Sequence, residues 1–94
     1  MIANVVSGRV DASADERVVR ERLVPALKQQ DGFKGGYWLR QVDSDEVLAV
    51  TLWESEEALR AALATQVTRE ASAQTSAMFI GGPRMAVYRL VAHG

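Results

Sequence analysis

Hydrophobic positions alternate, then recur every three or four residues, and the switch between the two periods divides the chain into six elements. Ile2–Val10 (IANVVSGRV) is β-branched with small residues between and predicts a strand. After the turn Asp11–Ala14, Val18, Val19, Leu23, Ala26 and Leu27 follow helical spacing. Ser13 and Glu16 have the S-x-x-E spacing of a capping box. Pro25 lies inside the run and predicts a kink or loss of regularity, and Gly32 is a helix stop. Phe33–Val42 and Val47–Glu54 read as strands joined by the polar turn Asp43–Glu46. Ser55 caps a second helix, with Glu56 and Glu57 in its first turn and Ala58, Leu59, Ala62 and Leu63 as its apolar stripe. Thr65–Ala77 continues as helix, Gly81-Gly82-Pro83 breaks it, and Met85–Ala92 is the last strand. The order β-α-β-β-α-β is the ferredoxin-like arrangement of an α+β fold, in one domain over residues 1–94.

The hairpin predicts a register. If Asp43 opposes Glu46, then Val42 faces Val47, Arg40 faces Ala49, Trp38 faces Thr51 and Gly36 faces Trp53. One face then carries Phe33, Tyr37, Leu39, Leu48, Val50 and Leu52, and is the expected floor for the helices. The other carries Trp38, Arg40, Val42, Val47, Ala49, Thr51 and Trp53, with no helix left to cover it. An uncovered apolar face marks an interface. A homodimer is therefore expected, two sheets packed face to face through the Trp38/Trp53 side and the last strand.

Composition narrows the classes of function. The chain has a formal net charge of −1 and no basic block, which argues against nucleic acid and anionic membrane as partners. No apolar run approaches the roughly 18 residues of a membrane span. Met1–Val10 is too short and polar for a signal peptide, so the expected location is the cytoplasm. The absence of cysteine removes disulfides, thiol nucleophiles and thiolate metal sites. The single histidine, His93, sits next to the last residue, so no N/S metal site is expected.

Gly32-Phe33-Lys34-Gly35-Gly36-Tyr37-Trp38-Leu39-Arg40, followed by Val50-Thr51-Leu52-Trp53-Glu54-Ser55-Glu56-Glu57-Ala58-Leu59, resembles the antibiotic biosynthesis monooxygenase-like domain family. The resemblance implies a dimeric α+β barrel. It also implies one of several activities: cofactor-free oxygenation of polycyclic aromatic or quinol-like molecules, haem degradation, or none assigned. The haem-degrading members use an Asn on the first strand, a Trp on the second helix and a His further along. Asn4 is a counterpart of the first, but the other two fall near Ala62 and Ala71, and Leu59–Ala77 holds neither Trp nor His. That branch is rejected, and no cofactor is expected.

The candidate pocket combines Trp38 and Trp53 as an aromatic wall with Arg40, Thr51 and Asn4 as polar contacts, a set suited to a flat, partly polar ligand. Arg40 could stabilise an enolate or oxyanion. The same indoles are equally what a dimer core would use, with Arg40 an edge charge. No catalytic residue is assigned: Tyr88 reads as structural, and no internal histidine can act as base. A phenolic substrate that ionises readily can itself reduce O2, needing from the protein only a dry pocket and charge stabilisation. Two functions follow: a small cofactor-independent monooxygenase-like protein acting on an aromatic or quinol-type molecule, or a non-catalytic dimeric barrel that binds a small hydrophobic molecule or has a structural role.

Overall fold

A computed structural model describes residues 1–94. Strands β1 (Ile2–Arg9), β2 (Phe33–Arg40), β3 (Glu46–Trp53) and β4 (Arg84–Arg89) form one antiparallel sheet in the order β2-β3-β1-β4. The helices are α1 (Val24–Lys28), α2 (Glu56–Ala64) and α3 (Gln66–Ser76). The fold is α+β and ferredoxin-like, with the second helical segment in two pieces. Thr65 makes the division. Its backbone is extended, its hydroxyl donates to Ala62 O at 2.9 Å, and it accepts from Thr68 N at the start of α3. Ser55 caps α2 as expected, accepting from Ala58 N at 3.1 Å. No helix is long and apolar enough to cross a membrane.

The first helical segment begins differently from the expected capping box. Ser13 turns back, its N–H and hydroxyl both donating to Asp11 Oδ1 at 2.9 and 2.7 Å. Asp15 takes over the cap and accepts from Arg17 N at 3.0 Å. A local Asp-centred turn competes with a helix start for the same hydroxyl, and here the turn wins. The irregularity expected at Pro25 lies just before it: Val19–Leu23 forms a π-helical turn, closed by Val24 N–H bonding to Val19 O. Proline has no N–H for the carbonyl four residues earlier, and a wider turn relieves the mismatch. At the far end Gly32 adopts φ +83°, and a Cβ there would sit 2.6 Å from the Cβ of Ala58. It is therefore both the helix stop and the point where α2 closes on the chain.

The β2–β3 pairing is offset by two residues from the expected register. Tyr37 pairs with Val50, Trp38 with Ala49, Leu39 with Leu48 and Arg40 with Val47. The connection runs over Gln41–Asp45, where Gln41 N bonds Glu46 O at 2.9 Å and Asp43 takes φ 59°. An even offset leaves the two sets of same-face residues intact. A bulge between Phe33 and Gly35 breaks that parity and brings Phe33 opposite Trp53, their ring centroids 5.2 Å apart at 66°.

The assignment of the faces is reversed. The tryptophan face is the one the helices cover. Trp53 is 1% exposed, inside a core with Leu23, Ala26, Leu27, Leu59, Ala62 and Ala71, and Trp38 packs against this cluster. The physical reason is volume. The helices present alanines at their inner positions, and large indoles fill the space those leave. The face with Tyr37 (62% exposed), Leu39 (49%), Leu48 and Tyr88 is the uncovered one. Only 13 of 94 residues are buried, so much of the apolar surface remains outside this thin core. Strand β4 is an edge strand with all six residues exposed.

Candidate functional site

Between the helix-facing side of the sheet and the helices lies a cavity of about 400 Å³, within the range of small-molecule sites. Asn4, Trp38, Arg40, Thr51 and Trp53 all line it. The five residues singled out in the sequence thus share one concavity, within a single subunit rather than between two sheets. They arrive there because each occupies a helix-facing position. Asn4 pairs with Thr51 across β1–β3, and Trp53, Thr51, Trp38 and Arg40 alternate outward from that row. Trp38 and Trp53 are not the diagonal neighbours that the hairpin argument predicts. Trp38 stands opposite Ala49, four residues from Trp53.

A polar line crosses the floor. The indole N–H of Trp53 donates to Thr51 Oγ1 at 2.9 Å, and Thr51 in turn donates to the backbone oxygen of Asn4 at 3.5 Å. Thr51 is therefore engaged in holding the indole plane. The Asn4 side chain differs. It is 6% exposed, and its Oδ1 is shut off from solvent with no hydrogen-bond partner in the chain. An unpaired buried acceptor of this kind costs about 1–3 kcal/mol.

Trp38 forms the side wall. Its indole folds back over Gly36, where a Cβ would come within 2.9 Å of Cη2 and 3.1 Å of Cζ3. Gly36 is thus the reason Trp38 lies flat along the sheet and offers a ring face.

A model of the antibiotic biosynthesis monooxygenase family matches residues 1–74. The chain belongs to that family. No curated protein matches the sequence. Among solved structures, this family member is similar to SnoaB, a cofactor-independent oxygenase from Streptomyces nogalater, with TM-score 0.84 and 21% identity over 98% of this chain and 94% of that one. It is also similar to Rv0793 from Mycobacterium tuberculosis, with TM-score 0.79 and 15% identity over 98% and 96% of the two chains. A conserved protein from Methanosarcina mazei Go1 aligns with TM-score 0.81 and 13% identity, over 94% and 90%. At these identities the likeness is one of fold.

Two charged lining residues of this monooxygenase-family cavity are not among the sequence candidates: Glu16 and Arg20. Both are exposed, as is Arg40, so the lining passes from buried apolar side chains to a charged mouth. Arg40 Nη2 lies 4.0 Å from Glu16 and Nη1 3.9 Å from Asp45, while Arg9 reaches Asp45 at 4.0 Å. The signal for Glu16 and Arg20 was present in the spacing 16, 20, 23, 27, which continues the inner stripe of the helix through Leu23 and Leu27. No three His, Cys, Asp or Glu side chains gather in a metal-ligand arrangement. Tyr88 lies on the uncovered sheet face and His93 in the exposed tail, both away from the cavity lining.

Proposed function

We propose that this protein is a cofactor-independent monooxygenase of a flat aromatic or quinol-type molecule, bound in the cavity beside Trp38 with Trp53 as the back wall. One observation carries the reading: in a member of this family, two indoles and Asn4, a buried amide whose oxygen has no partner in the chain, line the same cavity. A ring stacks on the Trp38 face, and a polar group at the ligand's inner end meets the Asn4 amide. The substrate, ionised at an activated position, passes an electron to O2. Recombination places oxygen on that carbon, and for an anthrone-type CH2 the overall change is CH2 plus O2 to C=O plus water. O2 is the oxidant, so the protein's share is desolvation, orientation and stabilisation of the anion. The oxygenase activity stated for SnoaB is in keeping with this.

The functional unit in this proposal is a homodimer, formed through the uncovered sheet face of Tyr37, Leu39, Leu48 and Tyr88 and acting in the cytoplasm. A second reading, a barrel that binds a hydrophobic molecule without turnover, is favoured by the lining's only carboxylate, Glu16, lying beside Arg40 at the mouth. O2 uptake with a panel of hydroquinones and anthrones separates the two. Consumption above the spontaneous rate, reduced in Trp38→Phe, supports the oxygenase. Quenching of tryptophan emission by the same compounds without O2 uptake supports the binding protein. Unchanged binding in Trp38→Phe, together with lost thermal stability, would remove Trp38 from the site.

A further inference from the structure

We infer that the charged mouth of the cavity is an anion subsite, and that the ligand carries a carboxylate at its outer end, received by Arg40 and Arg20. The inference rests on the reading of the cavity as a binding site for a flat aromatic molecule, and adds the charge that molecule must have. Polarity along the cavity runs one way. The inner wall, with Trp53, Thr51, Asn4 and Leu59, holds no ionisable group, while Glu16, Arg20 and Arg40 line the outer part. Arg40 stands opposite Val47 and Asn4 opposite Thr51, four residues apart along β3. At roughly 3.3 Å per residue that is about 13 Å along the strand, and the two residues flank β3 on opposite sides, so their backbones are about 16 Å apart, room for a fused-ring aromatic with a substituent at its outer end.

Charge among the lining residues is unbalanced. Arg20 and Arg40 stand against Glu16 alone, while Arg9 and Asp45, outside the lining, lie 4.0 Å from each other. The existing pairs are also loose. Arg40 sits 3.9 and 4.0 Å from its two carboxylates, whereas a charge-assisted hydrogen bond is about 2.7–2.9 Å long. The guanidinium is thereby held at the mouth with its planar fork available for a closer, two-point contact. Glu16 is a resident counter-ion on a side chain 64% exposed, free to swing into water when a ligand carboxylate takes its place. A neutral ligand gains nothing from this exchange, so the mouth selects for anions and draws them in.

The two tryptophans of the chain both line the cavity, so their emission reports its occupancy. Titration of the whole protein with anthraquinone-2-carboxylate and with anthraquinone-2-carboxamide tests the inference, since the probes differ only in charge at one end. The carboxylate is expected to bind about tenfold tighter, with a preference that falls as salt rises. Arg40→Gln and Arg20→Gln should each weaken the carboxylate more than the carboxamide and so erode that preference, with unchanged circular dichroism as the control for the fold. Glu16→Gln should strengthen carboxylate binding. Equal affinities in the wild-type protein, or a preference undiminished in both arginine variants, overturn the anion subsite and leave the aromatic cavity standing. Quenching by neither probe overturns both.

Discussion

Trp53 shows how a single buried side chain can join packing to site geometry. Its ring fills the space over the helix alanines, and its one polar atom is satisfied by Thr51, which leans on the Asn4 carbonyl. Thr51→Val keeps the shape and removes the acceptor, leaving an indole N–H buried and unpaired. A loss of about 1–3 kcal/mol is expected in urea unfolding, whereas Thr51→Ser keeps the hydroxyl and should retain most of the stability. Trp38 depends on a neighbour in a different way. Gly36→Ala introduces a Cβ 2.9 Å from Cη2 of its ring, so the indole must lift from the sheet. The expected result is a shifted Trp38 emission and at least severalfold weaker quenching by flat probes. Unaltered emission would show that the ring does not need the gap.

The grouping of the candidate residues was legible at this scale because they obey strand alternation: Asn4, Trp38, Arg40, Thr51 and Trp53 all line one cavity. The orientation of that face was not legible. Tyr37, Leu39, Leu48, Val50 and Leu52 make as apolar a surface as the tryptophan side, and hydrophobicity cannot rank them. Volume could have done so, since Ala26, Ala62 and Ala71 on the helices call for large partners on the sheet.

Elements were readable wherever one strong signal acted alone. Ser55, with Glu56 and Glu57 behind it, started α2 as expected, because nothing nearby competes for its hydroxyl. The first helix was harder, since Asp11, Ser13 and Asp15 are all cap-forming residues within a few positions and only the backbone path decides among them. The outcome has a pH signature. Hydrogen bonds from the Arg17 side chain and then its backbone N–H hold the Asp15 carboxyl below its ordinary value of 3.8. A carboxyl whose value is lowered by folding stabilises the native state above the unfolded value, and that contribution is lost as pH falls through the lowered one. The destabilisation caused by Asp15→Ala, read from urea midpoints, should therefore be present at neutral pH and shrink below pH 3.8. A difference constant down to acid pH would mean the cap acts through shape and not through charge. Pro25 is a further case where the residue announced an irregularity and only the three-dimensional helix showed its form, a π turn one step upstream whose Val19 and Arg20 both line the cavity.

At the scale of the whole molecule, the unequal treatment of the two sheet faces leads to the last prediction. One face is roofed by helices over a cavity. The other presents Tyr37, Leu39, Leu48 and Tyr88 around half-buried Val5, Val50 and Leu52. A second copy of the same face is the proposed cover, and a two-fold axis through it would bring the central strands of the two sheets together. Leu48 on β3 tests this best. It sits opposite Leu39 on one side and Ser7 on the other, out of alternation with Trp53 along β3, with an edge that also touches the cavity. Leu48→Glu puts one carboxylate on each copy, so a symmetric interface would bury two like charges without a partner. An unpaired buried charge costs on the order of 3–5 kcal/mol, enough to separate a dimer at micromolar concentration. Light scattering after gel filtration should give a dimer mass for the wild-type protein and for Trp38→Phe, and a monomer mass for Leu48→Glu with its helical circular dichroism intact. The contrast between the two variants is the informative part. Trp38 belongs to the roofed face, so its replacement should leave the mass alone although it alters the cavity. A monomeric wild type would show that the exposed face is covered by something other than a twin, and a monomeric Trp38→Phe would return the tryptophans to the interface.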